Sequence, residues 1–400
     1  MIRLQGRSMK ILHISSMYPS ATDPINGIFV RQLVTNLTIY GTNQYRVVVP
    51  RKIYRRDHSV AMNLTSWIRH NWDGGENVDY LWYLPAKAFG LKRGYDALLA
   101  EWFIKSRLVK SLTFGKIDLI HAHSAVPDGY LAMQIHRSMG IPYVMHAHGG
   151  EITSIDHFDH KYKRLVKEVY NSAKAIICNS KRTRRVLSNL IQRTEIPVAV
   201  LAFGIDIAAK AERRYESDAA SINIVSVARL VKDKRVDLLI EAVSRSRFLQ
   251  KINLFIIGDG EEKEYLLNLA RSLGVDGHVH FLGSMDNDAV RSSLSNYHFF
   301  VLPAVNEGFG VAYLEALAAG LPSVGIKGEG CEDIAQKGDC MLLAEPNSVH
   351  DLTSKIDFLV GSPEQMRRMS NEALKVIKEH YSWPEVVKEY EEFYSAVFNA

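Results

Sequence analysis

The sequence has few cysteines and no long apolar run, and both absences narrow the class of protein. Its three cysteines, Cys178, Cys331 and Cys340, show neither metal-ligand nor disulfide spacing, so a reducing compartment is expected. No stretch approaches the roughly 20 apolar residues that a membrane-spanning helix needs. The first residues, MIRLQGRS, lack the hydrophobic region of a secretion signal. We therefore expect a cytoplasmic protein.

The sequence also lacks the aromatic RNP motif, zinc-module spacing and helix-turn-helix pattern of nucleic-acid-binding proteins, so no nucleic-acid partner is expected. Charge is nevertheless uneven. The first 200 residues carry 28 Lys and Arg against 14 Asp and Glu, a net of +14, and the remainder carries 21 against 30, a net of −9. The basic half is thus the part in which an anionic partner would bind.

Basic and large apolar residues alternate in three segments of that half: RKIYRR from Arg51, SWIRHNW from Ser66, and a longer segment from Ala86 to Lys110. One interpretation is a set of amphipathic helices whose aromatic residues face the core. The other is peripheral docking on an anionic membrane, at the inner face of the plasma membrane. The sequence leaves both open.

Four hundred residues, 47% of them hydrophobic, suffice for two globular domains. Short Val- and Ile-rich runs alternate with helical patterns, which predicts parallel sheets covered by helices on both faces. The alternation weakens near residues 206–220 and then restarts with INIVSVARL. We predict an α/β protein with two doubly wound, Rossmann-like domains at 1–206 and 207–380, and a last helix within 381–400. Ligands of such sheets bind at the carboxyl ends of the strands.

The most informative segment is NEGFGVAYLEALAAG, from Asn306 to Gly320, which follows a strand predicted from Tyr297 to Pro303. It places Glu307 and Glu315 on either side of seven residues where a glycine-rich loop enters a helix. Backbone N–H groups at a helix N-terminus bind anionic or hydroxyl-rich ligands, and carboxylates accept hydrogen bonds from sugar hydroxyls. A capped helix with an apolar face explains the helix but not the flanking acids. The segment therefore predicts a site for a phosphate-linked sugar.

Further candidates lie on other predicted strand ends. Arg229 and Lys234 follow one strand, and two cations there would clamp a diphosphate, although such residues are often only solvated. Gly258, in IIGDGEE, would let the backbone approach a nucleotide, and Val279, in HVHFLG, would offer edge backbone groups to a base. Gly27, which opens the first helix, would pass close to a phosphate. A tight turn explains either glycine equally well.

Four histidines, His121, His123, His146 and His148, end two strands of the first domain. Imidazoles at neighbouring strand ends suggest a metal site. No carboxylate completes an obvious ligand set, however, and Arg and Lys would neutralise a phosphate without metal. We therefore expect no metal. Asp286, in an Asp-Asn-Asp run, is interpreted as a helix cap rather than a metal ligand.

Taken in order, these segments resemble the retaining glycosyltransferases of family 4, which have the GT-B fold of two facing Rossmann-like domains with a cleft between them. The resemblance covers nearly the whole chain. The EGFG segment with its second glutamate is the most specific part, supported by ARLVKDK, IIGDG, HVHFLG and EALAAGLPSV.

The resemblance implies a role for each matching residue. Glu307 would hold a donor-sugar hydroxyl, Glu315 the ribose hydroxyls, and Arg229 with Lys234 the diphosphate. His148 would contact the donor sugar near the reacting carbon. The remaining donor contacts would come from Gly27, Gly258, Val279 and the amides of Gly308, Phe309 and Gly310.

By the same resemblance, the expected activity is transfer of a hexosyl unit, with retained configuration, from a nucleotide sugar. UDP is the nucleotide most common in the family. Neither a cofactor nor a divalent metal is expected. The basic first half suggests a glycan or lipid-linked acceptor used in the synthesis of cell-surface polysaccharide or glycolipid. Two alternatives stay open: a nucleotide-sugar epimerase on the same fold, and a non-catalytic subunit that binds sugar nucleotides.

Overall fold

The computed structural model describes residues 7–19, 26–52, 68–73, 76–84, 98, 100–101, 116–193, 195–207 and 221–400. By its internal contacts the chain divides into two compact units, residues 1–203 with Val386–Ala400, and Gly204–Glu385. The domain limits expected at residues 206 and 380 stay a prediction, because the junction at 208–220 lies outside the described residues.

The first unit is built on one eight-stranded sheet. Its strands are β1 (Lys10–Ile14), β2 (Gln44–Lys52), β3 (Ile68–Asp73), β4 (Glu76–Tyr83), β5 (Leu119–Ala122), β6 (Tyr143–Ala147), β7 (Ala175–Cys178) and β8 (Val198–Val200), in the order β3-β4-β2-β1-β5-β6-β7-β8. Every neighbouring pair is parallel except β3 with β4, which is antiparallel. The described helices are α1 (Ile28–Tyr40), α2 (Tyr130–Met139), α3 (Gly150–Thr153), α4 (His160–Asn171) and α5 (Lys181–Ser188).

The central strands of this sheet are buried along their length because helices cover both faces. Residues Leu119–Ala122, Tyr143–Ala147 and Ala175–Cys178 are buried throughout. The interpretation of the basic SWIRHNW segment as an amphipathic helix is wrong for residues 68–73, which form the edge strand β3 paired with β4. The backbone of β3 is hydrogen-bonded to β4, and this pairing cannot be recognised from the composition of the SWIRHNW segment alone.

The second unit contains a six-stranded parallel sheet. Its strands are β9 (Ile222–Val227), β10 (Ile252–Ile257), β11 (Val279–Gly283), β12 (Phe299–Val301), β13 (Ser323–Ile326) and β14 (Met341–Ala344), in the order β11-β10-β9-β12-β13-β14. Its helices are α6 (Val236–Ser244), α7 (Lys263–Ser272), α8 (Asn287–Ser293), α9 (Val311–Ala318), α10 (Glu332–Ala335), α11 (Val349–Val360) and α12 (Pro363–Val376). The last helix, α13 (Trp383–Asn399), only begins in this unit. The strand predicted from Tyr297 to Pro303 is observed only over Phe299–Val301. It starts later because the N–H of Tyr297 bonds the Leu294 carbonyl within a turn.

The last helix, α13, continues into the first unit from Val386 onwards. Its buried Glu391, 7% exposed, accepts hydrogen bonds from the N–H of Thr42 at 3.1 Å, from the Asn43 amide at 3.0 Å, and from the hydroxyls of Thr42 and Tyr45. One carboxylate thus ties the C-terminal helix to the start of β2. Charge-assisted bonds of this kind are among the stronger ones in proteins.

Candidate active site

The loop after β12 holds Glu307 between two neighbouring loops. The N–H of Glu307 donates to the Glu329 carboxylate at 2.9 Å, and its carbonyl accepts from the N–H of Gly330 at 3.1 Å. Asn306, just before it, has a φ of 58°, a left-handed conformation uncommon outside glycine.

The Glu307 carboxylate forms an ion pair with the Lys234 ammonium, and the two side chains are 18% and 25% exposed. The N–H of Val305 also donates to the Asp233 carbonyl at 2.8 Å. The sheet order explains this convergence: the loops after β9, β12 and β13 carry Lys234, Glu307 and Glu329, and these three strands are neighbours. Parallel neighbours end at the same edge of a sheet. The structure therefore brings together two of the predicted site residues, Glu307 and Lys234.

Glu315 lies in α9, the helix that follows this loop, and its ion-pair partner is not Lys234. Its carboxylate is 3.4 Å from Nε of Arg291, a residue of α8 that the sequence analysis did not single out. Burial raises the pKa of Glu315, and the nearby Arg291 counteracts that shift. In the sequence, Arg291 is recognisable only as an arginine one turn into a predicted helix. No local pattern connects it with Glu315. Asp286 caps α8 by accepting from the N–H of Ala289 at 2.7 Å, which confirms its interpretation as a cap.

The residues between the two glutamates form a compact entry to α9. Gly308, Phe309 and Gly310 are buried, and Gly310 has a φ of 88° at the N-cap position. The Phe309 ring lies 6.2 Å from that of Tyr381, so its side chain belongs to the core of the second unit. The donor contacts expected from these three backbone amides stay a prediction.

Arg229 and Gly258 lie on adjoining loops. Arg229 is exposed, and the N–H of the next residue, Leu230, donates to the Asp259 carbonyl at 2.9 Å. Gly258 has a φ of 143°, and a Cβ there would lie 1.8 Å from the Ala228 carbonyl oxygen. Packing of two loops against each other thus requires this glycine, whatever its role toward a nucleotide. Val279 is 6% exposed on the edge strand β11, so its side chain belongs to the core.

In the first unit, Gly27 and His148 are connected through one aromatic residue. Gly27 begins α1 with a φ of 71°, and a Cβ there would lie 2.0 Å from the Met17 carbonyl oxygen. Phe29, two residues on, contacts the His148 ring edge-on at 5.1 Å, and Phe203 stacks on that ring at 5.7 Å. Burial lowers the pKa of His148 to about 3, so the ring is neutral near pH 7.

The four predicted histidines do lie close together, joined by His13 from β1. His13, His121, His123 and His146 are fully buried, and the order β1-β5-β6 makes their strands neighbours. Burial lowers the pKa of His13 to about 3 and holds those of the other three well below 6.5. These four residues and His148 form a group of five, called the histidine cluster.

The described residues contain no helix with the length and apolar character to span a membrane. The membrane-docking prediction concerned aromatic and basic residues that lie outside the described residues: Trp67, Phe89, Trp102, Phe103, Lys87, Lys92, Arg93, Lys105 and Arg107. Trp72 lies in β3, and nothing described of its side chain bears on the prediction.

Two α/β units of this kind are the architecture of the GT-B fold, which solved glycosyltransferases share. The family model described as Glycosyl transferases group 1 matches residues 209–376, and the model Glycosyltransferase Family 4 matches residues 51–209. The chain belongs to glycosyltransferase family 4, which confirms the resemblance drawn from the sequence.

One sequence relative and two solved structures are similar to nearly the whole chain, and the solved structures bear on the fold alone. The putative teichuronic acid biosynthesis glycosyltransferase TuaC of Bacillus subtilis is 25% identical over 410 residues, covering 98% of this chain and 95% of TuaC. Sucrose-phosphate synthase from Thermosynechococcus elongatus has a similar structure, with a TM-score of 0.78, 17% identity, and coverage of 98% of this chain and 99% of that one. The structure of Anabaena HepE in complex with UDP-glucose is also similar, with a TM-score of 0.71 and 18% identity. The match covers 97% of this chain and 100% of that one.

Proposed function

We propose that this enzyme transfers a hexosyl unit from a UDP-hexose, with retained configuration, to a glycan or lipid-linked acceptor during synthesis of a polysaccharide or glycolipid. The observation that carries this proposal is the Lys234–Glu307 ion pair at the carboxyl edge of the second sheet. There a cation and a carboxylate are held side by side where α/β sheets bind nucleotides.

In this proposal the ion pair opens when the donor binds. Lys234 turns to the diphosphate and Glu307 accepts a hydrogen bond from a sugar hydroxyl. Since Glu329 and Gly330 hold the Glu307 backbone independently of Lys234, the loop keeps its place when the carboxylate changes partner. As the bond to the sugar breaks, negative charge grows on the leaving diphosphate, and the cations Lys234 and Arg229 are proposed to stabilise it. The acceptor hydroxyl attacks from the same face and its proton passes to the leaving phosphate.

The assignment of UDP rests on the family's usual donor and is supported by HepE, which binds UDP and UDP-glucose. Glu315 is proposed to hold the ribose hydroxyls. Burial raises the pKa of Glu315, and its neighbour Arg291 counteracts that rise. In this proposal Lys234 and Arg229 supply the charge neutralisation that a divalent metal provides in other transferases. No metal is then required for transfer. His148 is proposed to contact the donor sugar, as the family resemblance implies.

The acceptor class is proposed from two sources. TuaC is named for teichuronic acid synthesis, and a relative from Rhizobium meliloti is named for lipopolysaccharide core synthesis. The basic first half of the chain adds a reason for a membrane-borne acceptor. Binding to anionic liposomes that weakens as salt rises would support that acceptor, since surface electrostatics are screened. Binding that is absent or independent of salt points to a soluble acceptor.

A thermal-shift panel of UDP-, GDP- and ADP-sugars tests the donor, since a ligand of the folded form raises the melting temperature. The donor that gives the largest shift is then incubated with lipid-linked glycan acceptors, and product configuration is read from the anomeric proton signal. An inverted product, or a GDP- or ADP-sugar as the best donor, contradicts the proposal. The same donor without acceptor tests the alternatives: a new sugar nucleotide identifies an epimerase, and binding without turnover on any acceptor identifies a non-catalytic subunit.

A further inference from the structure

An acidic residue that the sequence analysis did not single out, Glu329 in the loop after β13, contacts the backbone of Glu307. Its side chain is half-buried, and its carboxylate accepts a hydrogen bond from the N–H of Glu307 at 2.9 Å. Hydrogen bonds between a backbone N–H and an ionised carboxylate are roughly twice as strong as those between neutral groups. The contact therefore fixes the peptide group from which the Glu307 side chain extends.

The loops after β12 and β13 are joined at two further points. Gly330 donates its N–H to the Glu307 carbonyl at 3.1 Å, so that residues 329 and 330 together bind both polar groups of the Glu307 backbone. A Cβ at Gly330 would lie 2.3 Å from the Gly308 carbonyl oxygen, so the two backbones pack directly on each other. Glu329 thus supplies the side-chain contact of a close junction between the two loops.

The loop that carries Glu329 is itself held in place. The N–H of Lys327 donates to the last carbonyl of β14 at 3.0 Å, which ties the start of the loop to the sheet. The N–H of Gly328 donates to the Glu332 carboxylate at 2.9 Å. Two carboxylates therefore act in series, since Glu332 holds the loop after β13 and Glu329 holds Glu307. The acceptor that Glu329 offers to Glu307 is preorganised by these contacts.

Backbone contacts matter most for Glu307 once its ion pair with Lys234 opens. In the proposed function the Glu307 carboxylate then accepts from a sugar hydroxyl, and Lys234 no longer restrains it. A hydrogen bond weakens steeply when its donor and acceptor are misaligned. Hexose epimers differ only in the direction of one hydroxyl, so an acceptor in a fixed position distinguishes them and an acceptor that moves does not.

We propose that Glu329 is a positioning residue that sets the donor-sugar specificity of the enzyme, because it fixes the Glu307 backbone so that the Glu307 carboxylate accepts from one configuration of a hexose hydroxyl. This role rests on the proposed hexosyl transfer. Glu329 acts through Glu307 and is not itself proposed to touch the sugar. Sites built to hydrogen-bond a particular hydroxyl discriminate strongly against substrates that lack it there.

The test measures kcat/KM of the full-length chain for two pairs of epimers at carbon 4, with one acceptor throughout. The pairs are UDP-glucose with UDP-galactose, and UDP-N-acetylglucosamine with UDP-N-acetylgalactosamine. The ratio of kcat/KM within a pair does not depend on the fraction of folded enzyme, so loss of stability alone leaves it unchanged. In Glu329→Ala we expect the ratio to fall by about tenfold or more, since a small misplacement of a binding group can cost on the order of 100-fold.

Glu329→Gln should keep the ratio within about threefold of wild type, because its amide oxygen can accept the same hydrogen bond. Glu329→Asp, whose carboxylate is one methylene further from Glu307, is a second variant should Glu329→Ala fold poorly, and it should lose discrimination in the same direction. Thermal unfolding of the same samples shows which variants are folded.

Glu345→Ala is the matched control and should keep the wild-type ratio. The Glu345 carboxylate contacts the same loop, 2.8 Å from the Lys327 ammonium, but both side chains are 58% exposed. An unchanged ratio in a folded Glu329→Ala or Glu329→Asp enzyme, an equal loss in Glu329→Gln, or a wild-type enzyme that does not discriminate within either pair overturns the role of Glu329 and leaves the transferase activity standing. A wild-type enzyme that transfers from no UDP-hexose contradicts the proposed function itself and this role with it.

Discussion

Replacing Lys234 with Ala separates a catalytic role of this cation from a structural one. The Lys234–Glu307 pair is partly exposed, with side chains 25% and 18% accessible, so its contribution to stability should be at most about 1 kcal/mol. The Glu307 backbone stays in place because Glu329 and Gly330 hold it. We therefore expect the free energy of unfolding to change little.

The kinetic effect should be much larger, since a preorganised group facing developing charge contributes roughly 100- to 1,000-fold to kcat, or about 3–4 kcal/mol. The assay is UDP release from UDP-hexose with acceptor, alongside thermal unfolding of the same samples. Lys355→Ala is the matched control, because Lys355 lies 3.7 Å from Asp351 with similar exposures of 34% and 28%, on helix α11. A Lys234→Ala enzyme that folds normally and keeps kcat within about threefold of wild type would refute the reasoning.

Three further predictions concern individual carboxyl groups. Glu307→Ala should lower kcat/KM and reduce discrimination between hexose epimers, measured with paired UDP-sugars; unchanged kinetics would remove this residue from the sugar site. Burial raises the pKa of Asp128 to about 7, so its contribution to stability is fully present below the unfolded pKa of 3.8 and is lost as pH rises through about 7. The free energy of unfolding of Asp128→Asn should therefore rise relative to that of wild type as pH increases across this range, by roughly 4 kcal/mol at most. A difference in unfolding free energy that does not change with pH would contradict this. Glu391→Ala should destabilise the first unit by about 3–5 kcal/mol, because buried donors lose their acceptor, whereas exposed Glu392→Ala, compared by denaturant unfolding, should not.

Much of the fold could be predicted because its strands are short, apolar and separated by amphipathic helices. The helix predicted near Ile28 to Tyr40 has those bounds in the structure, and INIVSVARL and INLFIIGDG both contain strands. Residues 68–73 could not be predicted in the same way. Their basic and aromatic alternation fits a helix face and a strand alike, and pairing with β4 selects the strand.

The candidate site was predictable only where its residues share one segment. Glu307 and Glu315 are eight residues apart, and the glycines between them indicated a ligand-binding turn. Their partners are distant in sequence: Glu329 is 22 residues from Glu307, and Arg291 is 24 residues from Glu315. No local pattern connects such pairs, because the contact depends on which strands are neighbours.

The sequence alone determined that the chain forms two parallel α/β sheets and that it resembles family 4, because hydrophobic periodicity and a single motif are local properties. Only the tertiary structure decided that Lys234 pairs with Glu307, that Arg291 accompanies Glu315, and that His13 joins the four predicted histidines. For the Lys234–Glu307 pair and for the histidines, the physical reason is the strand order, β9-β12-β13 in one unit and β1-β5-β6 in the other. That order arises from packing over the whole sheet and brings together loops that lie far apart along the chain.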